Sequence, residues 1–276
     1  MFNPSRLVFR FAFLFAGLAF VTSSAGAQFS RLDSVGEDLA KKLKPHKFHM
    51  IAVADLTEPD GSSSSQGHYF ALFLSTSIRH HGKKKVPVAD QAAFDALLRE
   101  ANMTPGDLSS AEYLKKISTK ANLDVIVLGT IEKSADSYNV QVKAVQIRDG
   151  VVLDTQRTSF RRSDFTDSLS EPFPKKTDFP VSKALVSGVK PPGCVRCPQP
   201  SYNDYARREK IQGTSLFEVM VSTEGRAVQI HPKRLIGYGL DEEAFDAIKR
   251  WQFKPGERDG QPIAVIVDIE VTFHLY

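Results

Sequence analysis

The sequence predicts an α+β protein, and three observations predict it. Its final segment, Val265-Ile-Val-Asp-Ile-Glu-Val-Thr-Phe-His-Leu275, alternates apolar and polar residues without a slip. Val265, Val267, Ile269, Val271, Phe273 and Leu275 point one way and Asp268, Glu270, Thr272 and His274 the other. That is the period of an antiparallel strand with one buried and one wet face. Just upstream, Leu240, Ala244, Ala247, Ile248 and Trp251 recur at helical spacing. Earlier in the chain, apolar runs at residues 49–56 and 124–130 are separated by amphipathic stretches, the pattern of a sheet covered by helices.

The elements follow in order from an N-terminus that reads as an address. Arg6 and Arg10 precede an apolar run from Phe11 to Val21, which ends in small residues and Ala25-Gly-Ala27. This is the layout of a secretory signal peptide over residues 1–27, with cleavage expected after Ala27. The run is short for a spanning helix, which needs roughly twenty apolar residues. The expected location is therefore the periplasm, and the alternative is an inner-membrane anchor facing it. Without residues 1–27 the chain holds 34 basic and 32 acidic residues, a net +2, too near neutral for nucleic-acid binding. At 276 residues, 42% of them hydrophobic, the chain has room for two domains with packed cores.

A first globular domain is expected over residues 46–160, an α/β unit with a mixed sheet. Residues 49–56 suit a buried strand, residues 57–66 a polar loop, and Phe70, Phe73, Leu74 and Ile78 a helix. Val86-Pro-Val88 reads as extended, and Asp90 caps a second helix whose face is Phe94, Leu97, Leu98 and Ala101. Ser109-x-x-Glu112 is a capping-box pattern for a third helix, with Leu114, Ile117 and Ala121 inward. Three strands close the domain, the last two joined at Asp149-Gly150, a hairpin signal. The run Ile51-Ala-Val-Ala-Asp-Leu56, the connection Thr104-Pro-Gly-Asp-Leu108 and the stretch 121–130 resemble the periplasmic domain of CsgG/FlgO-type proteins and, more loosely, the N-terminal domain of TolB. That resemblance implies an envelope assembly or docking module without catalysis.

Residues 161–199 read as a linker, because Pro172, Pro174, Pro180, Pro191, Pro192 and Pro198 cannot sit in a helix or a central strand. The linker ends in Cys194-Val-Arg-Cys197. In an oxidising compartment these two form a small disulfide loop. A redox pair should sit between a strand and a helix N-terminus, and zinc needs four ligands; both stay open as lesser readings. His46, His49, His80 and His81 lack carboxylate or thiol partners at ligand spacing and read as surface residues. The loop Gly61–Ser65 lacks the glycine-lysine arrangement of a phosphate loop, and the run 80–85 is a basic turn. No catalytic constellation, metal site or cofactor motif stands out, so an enzyme is not expected.

A second domain is expected over residues 200–276. Phe217, Val219 and Val221 alternate toward Thr223-Glu-Gly-Arg226, where Gly225 supplies a turn into a second strand through Val228 and Ile230. Gly237 and Gly239 precede the helix, Asp241, Glu242 and Glu243 crowd its first turn, and Pro255 stops it. Pro200-x-Tyr202, Ala206-Arg207, Gly213, Thr223-Glu-Gly225-Arg226, Gly239-Leu-Asp241, Ala244, Ala247, Arg250-Trp-x-Phe253-x-Pro255 and the strand to Phe273 together resemble the C-terminal domain of the TonB energy-transducer family. The resemblance implies a three-stranded antiparallel sheet with two helices on one side. It also implies a binding role, in which a short receptor peptide, the TonB box, adds itself as a strand.

The expected peptide-binding residues are Gln199, at the approach to the first helix, and Val265, Val267, Ile269 and Val271 along the final strand. The expected partner is an outer-membrane receptor, with inner-membrane motor proteins if the chain is anchored and a second copy of the final strand as another candidate. A globular domain and a signal peptide stand where transducers of that family carry a membrane helix and a long spacer, which puts coupling to the proton motive force in doubt. An envelope secretion or assembly component acting through the first domain, and a redox protein built on Cys194 and Cys197, are the competing readings.

Overall fold

The structure, a computed structural model, describes residues 8–12, 24–171, 173–174, 181–183 and 188–275. The expected signal peptide lies largely outside the described residues. Two compact units divide the chain, residues 27–163 and residues 164–276 with the N-terminal segment to Gly26. The elements run β1 (Val8–Ala12), α1 (Ser24–Leu43), β2 (Ile51–Val53), α2 (Ser65–Gly82), α3 (Gln91–Glu100), α4 (Ala111–Ala121), β3 (Val125–Lys133), β4 (Ser137–Gln146) and β5 (Val152–Arg161). They continue with α5 (Asp164–Ser168), β6 (Val181–Lys183), β7 (Val189–Lys190), β8 (Gly193–Arg196), α6 (Asp204–Arg208) and β9 (Gly213–Val221). Last come β10 (Ala227–Arg234), α7 (Leu240–Arg250), β11 (Gln252–Lys254), β12 (Gly256–Arg258) and β13 (Gln261–Phe273).

The unit of residues 27–163 holds the mixed sheet β2-β3-β4-β5, with β2 parallel to β3 and the other pairs antiparallel. Residues 125–128 are buried without alternation because both faces of the sheet are covered. On one face Ile126, Leu128 and Val145 pack with Phe94 and Leu98 of α3 and with Leu114 and Ile117 of α4. On the other, Phe70 of α2 meets Tyr138 and Phe160, with ring centroids 6.4 and 4.5 Å away.

Helix α1, to which no sequence pattern pointed, buries Leu32, Val35, Leu39 and Leu43. It docks closely on α2, where a Cβ at Gly36 would fall 2.2 Å from Ser77 Oγ. Asp33 accepts from Ser77 Oγ at 2.6 Å and pairs with His81 Nε2 at 3.0 Å.

Local signals decide the helix starts. Asp90 caps α3 by accepting from Ala93 N at 3.0 Å, and Ser64 caps α2 by accepting from Gly67 N at 3.1 Å. The capping box expected at Ser109–Glu112 is not formed; α4 starts after Ser110 without a side-chain cap. The box closes five residues earlier, between Thr104 and Asp107, where Pro105 fixes the first position of a short 3₁₀ turn.

The C-terminal unit is built on the antiparallel core β10-β9-β13 and includes helices α5, α6 and α7. Across its outer face Asp268 stands opposite Glu218, a like-charge pair that would repel. Lys233 of β10 relieves it, lying 3.4 Å from Asp268 and 3.8 Å from Glu218. Arg234 reaches Glu270 at 3.2 Å in the same way. Trp251 is fully buried, and its indole N–H donates to Pro198 O at 2.8 Å.

Within residues 161–199, read as linker, the chain forms α5 and the short strands β6, β7 and β8. These strands are two to four residues long and lie at sheet margins, which proline-rich sequence permits.

Gly225 has φ +74°, and a Cβ there would fall 1.9 Å from Phe253 O. Gly237 has φ +85° with nothing nearby. Gly225→Ala is therefore expected to cost at least about 2 kcal/mol, from strain and displaced backbone together, and Gly237→Ala about half of that or less. Urea denaturation of the two variants checks the order.

Candidate functional site

The candidate site is the side of β13 that faces away from β9. β9 pairs with β13 continuously from Val265 to Phe273. On its other side β13 meets two segments of the chain in succession, both parallel to it. β6 covers Ala264–Ile266, and β1 covers Asp268–Thr272 with Val8 opposite Asp268 and Ala12 opposite Thr272. Arg258 steadies β6 by donating to Ser182 Oγ at 3.0 Å. Extended chain thus lies along Ala264–Ile266 and Asp268–Thr272 of this edge.

The side chains of Val265, Val267, Ile269 and Val271 are 0, 2, 0 and 0% exposed. They form the core, so what these positions offer an incoming strand is main-chain N–H and C=O. Asp268, Glu270 and Thr272 lie on the opposite face and are only partly covered. Gln199 is exposed in the segment joining β8 to α6. Its neighbours are held fast, Pro198 by the Trp251 indole and Pro200 by burial. Tyr202 is buried, with its ring edge-on to Phe273 at 5.6 Å. Its hydroxyl donates to Ile211 O.

Cys194 and Cys197 are joined as a disulfide with Cα atoms 6.1 Å apart. Cys194 lies opposite Phe253 in the β8–β11 pair, so the bridged loop is fastened beside the Trp251 anchor. Cys194 lies in strand β8 and Cys197 just beyond its end, a placement the proline count concealed.

Behind the sheet, the first turn of α7 departs from expectation. Asp241, Glu242 and Glu243 are buried, at 0, 3 and 6% exposure. Asp241 accepts from Ser215 Oγ of β9 at 2.5 Å, from Ile236 N at 2.9 Å and from Gly237 N at 2.6 Å. One carboxyl thereby fixes strand, loop and helix start together. Burial outweighs these hydrogen bonds and pushes its pKa from 3.8 up to about 6. Glu242 is pushed well above its usual range, by burial first and by neighbouring carboxylates second.

A second constellation lies in the N-terminal unit, and sequence reasoning missed it. His68 Nδ1 sits 3.0 Å from Asp55 Oδ1 and 3.8 Å from Asp95 Oδ2. Gln91 Nε2 donates to both carboxylates, at 3.2 Å each. The positions 55, 68, 91 and 95 have no short-range spacing that signals a site; only the fold joins them. His81 was likewise read as a surface residue without a partner, yet it reaches Asp33, forty-eight residues away.

The two units define a class: a helix-covered α/β module and a small α+β unit whose final strand is paired along both sides. Residues 198–275 match the family model of the Gram-negative bacterial TonB protein C-terminal domain, and residues 33–165 match that of the FlgO protein. The chain therefore carries a TonB C-terminal domain behind a FlgO domain. Protein TonB of Vibrio cholerae serotype O1 is 38% identical over 80 residues, 28% of this chain and 32% of that protein. Protein tonB2 of Pseudomonas aeruginosa is 32% identical over 84 residues, 30% of this chain and 31% of that protein. The chain thus spans about a third of the length of these curated relatives. The LpoB C-terminal domain from Salmonella enterica aligns at a TM-score of 0.37 and 11% identity, covering 51% of this chain and all of that domain. Among the described residues no helix is long and apolar enough to cross a membrane.

The buried carboxyls make stability depend on pH in a stated direction. Their folded pKa values lie above the unfolded ones, so the folded state holds the protons more tightly. The contribution favours folding below about pH 4 and is withdrawn as pH rises through about 6. For Asp241 it is on the order of 3 kcal/mol. Denaturation midpoints of the C-terminal unit should fall between pH 4 and 6, and Asp241→Ala should flatten that slope. The same variant should lose about 2–4 kcal/mol at low pH, because the Ile236 and Gly237 amides lose their acceptor.

Proposed function

We propose that this protein is a periplasmic, non-enzymatic binding protein that takes an extended peptide of an outer-membrane receptor along the side of β13 that faces away from β9. The single observation that carries the reading is the pairing of β1 with Asp268–Thr272. A segment of unrelated sequence lies there in parallel register through main-chain bonds, so the edge accepts a strand without demanding particular side chains. The TonB C-terminal match and the relatives of that name support a receptor partner and a setting in envelope transport. Removal of residues 1–27 takes β1 away and leaves Asp268–Thr272 for the guest. Gln199 then contributes beside the edge, and Cys194–Cys197 stiffens the approach to it.

The FlgO match favours a second role for residues 33–165, docking or assembly in the envelope, with the C-terminal unit as its clip. Oligomerisation of residues 28–160 that persists without the C-terminal unit would support that role.

The test of the main reading is fluorescence anisotropy with a labelled TonB-box peptide and the protein lacking residues 1–27. Saturable binding is expected. Methylating three alternate peptide amides should weaken it about a hundredfold, since each main-chain bond contributes roughly 1 kcal/mol. The chain that keeps residues 1–27 should bind at least about tenfold more weakly, because β1 competes at high effective concentration. Binding indifferent to amide methylation would sink strand addition, and self-association that excludes the peptide would replace the receptor with a second copy.

A further inference from the structure

We propose that Asp55, His68 and Asp95 form a binding site for a divalent transition-metal ion of the zinc class, in the N-terminal unit. One ligand atom from each lies within 4.8 Å of the others, the single such group among the described residues. Zinc–nitrogen and zinc–oxygen bonds near 2.1 Å place tetrahedral ligand atoms about 3.4 Å apart. The separations from His68 Nδ1, 3.0 Å to Asp55 and 3.8 Å to Asp95, lie on either side of that value. Adjustments of about 0.4 Å bring both distances from His68 to that value, and the two carboxylate oxygens lie within 4.8 Å of each other. One imidazole with two carboxylates is a donor set for zinc, manganese or iron. It is a poor one for calcium, which takes six to eight oxygens.

The backbone holds these groups in place. Residues just beyond β2 continue alongside β3, with Ala54 N donating to Val127 O at 2.9 Å and Thr57 N to Gly129 O at 3.0 Å. Asp55 therefore sits on a fixed extension at the carboxyl end of the parallel pair β2–β3, the end where open α/β sheets place ligands. His68 lies in the first turn of α2, drawn in by Gly67. A Cβ on Gly67 would fall 1.8 Å from Leu56 O, so only glycine lets the helix come this close to the strand extension.

Gln91, 5% exposed, opens α3 and donates to both carboxylates, while Asp95 follows one turn later. Gln91 orients the two acids as an outer partner of the site. The arrangement gathers two carboxylates around one imidazole, a net negative cluster that a divalent cation neutralises. The ion would take the place of the proton that His68 Nδ1 shares with Asp55. The His68 side chain is 44% exposed while Asp55 and Asp95 are 17 and 18% exposed, so the fourth position opens to solvent. A three-ligand site with an open position is the form that admits water or a ligand from a partner.

The test is calorimetric titration of the full chain, purified in chelator, with zinc chloride. One equivalent is expected to bind, and His68→Gln and Asp95→Asn should each weaken it at least tenfold. Cobalt in place of zinc should give visible absorption bands of a low-symmetry site, lost in both variants. Circular dichroism in chelator confirms that the variants fold, and a His46→Gln/His49→Gln chain serves as control for stray histidine binding. Wild-type affinity in His68→Gln, or no stoichiometric binding by a folded wild-type chain, overturns the site.

Discussion

Every main-chain N–H and C=O of a strand needs a partner, and β9 takes only one side of β13. That constraint governs the C-terminal unit. Over thirteen residues β13 recruits β12 in a hairpin at its start, β6 in the middle and β1 toward its end. The side chains cannot relieve the demand, because alternate residues are sealed in the core, Asp268 and Glu270 are matched to cations of β10, and Thr272 bonds to Thr214. A long strand with a buried apolar face and a polar face tied in part to β10 has main-chain groups on its second side, and extended segments of the chain take them up. The buried Asp241 makes that strand a rigid platform by tying β9 to the loop and helix behind it.

The N-terminal unit obeys a different constraint. Its sheet is covered on both faces, so the Asp55–His68–Asp95 group gathers at the end of the sheet and not on a face. Gly36 against Ser77 and Gly67 against Leu56 bring backbone and helix closer than any other residue would permit. The first approach seats α1, and the second sets His68 beside Asp55.

Much of this was legible in the sequence. The alternation of residues 265–273 gave the strand and its buried face, and the helical spacing of Leu240 to Ile248 gave α7, because periodicity is written locally. Asp90 and Gly225 carried their own local instructions. What escaped notice was non-local. The Asp55–His68–Asp95 group is assembled by a strand, two helices and a glycine contact, none of which spacing reveals. The burial of Asp241 was hidden because three acids in a first helical turn look like dipole partners in water. The capping box went to Thr104 and Asp107 because Pro105 had already fixed the turn there. Strands β6 to β8 were missed because prolines forbid central strands but not short marginal ones.

β6 has one more consequence. It ends with Lys183 beside Ile266, and β1 begins two residues further along, with Val8 beside Asp268. A guest running in the same direction as β1 would meet the end of β6 head-on. The edge thus has a stop at one end, past which a strand in the place of β1 could not slide by two residues. Under the strand-addition proposal, such a stop would set the register of a bound peptide on a surface that reads little but backbone.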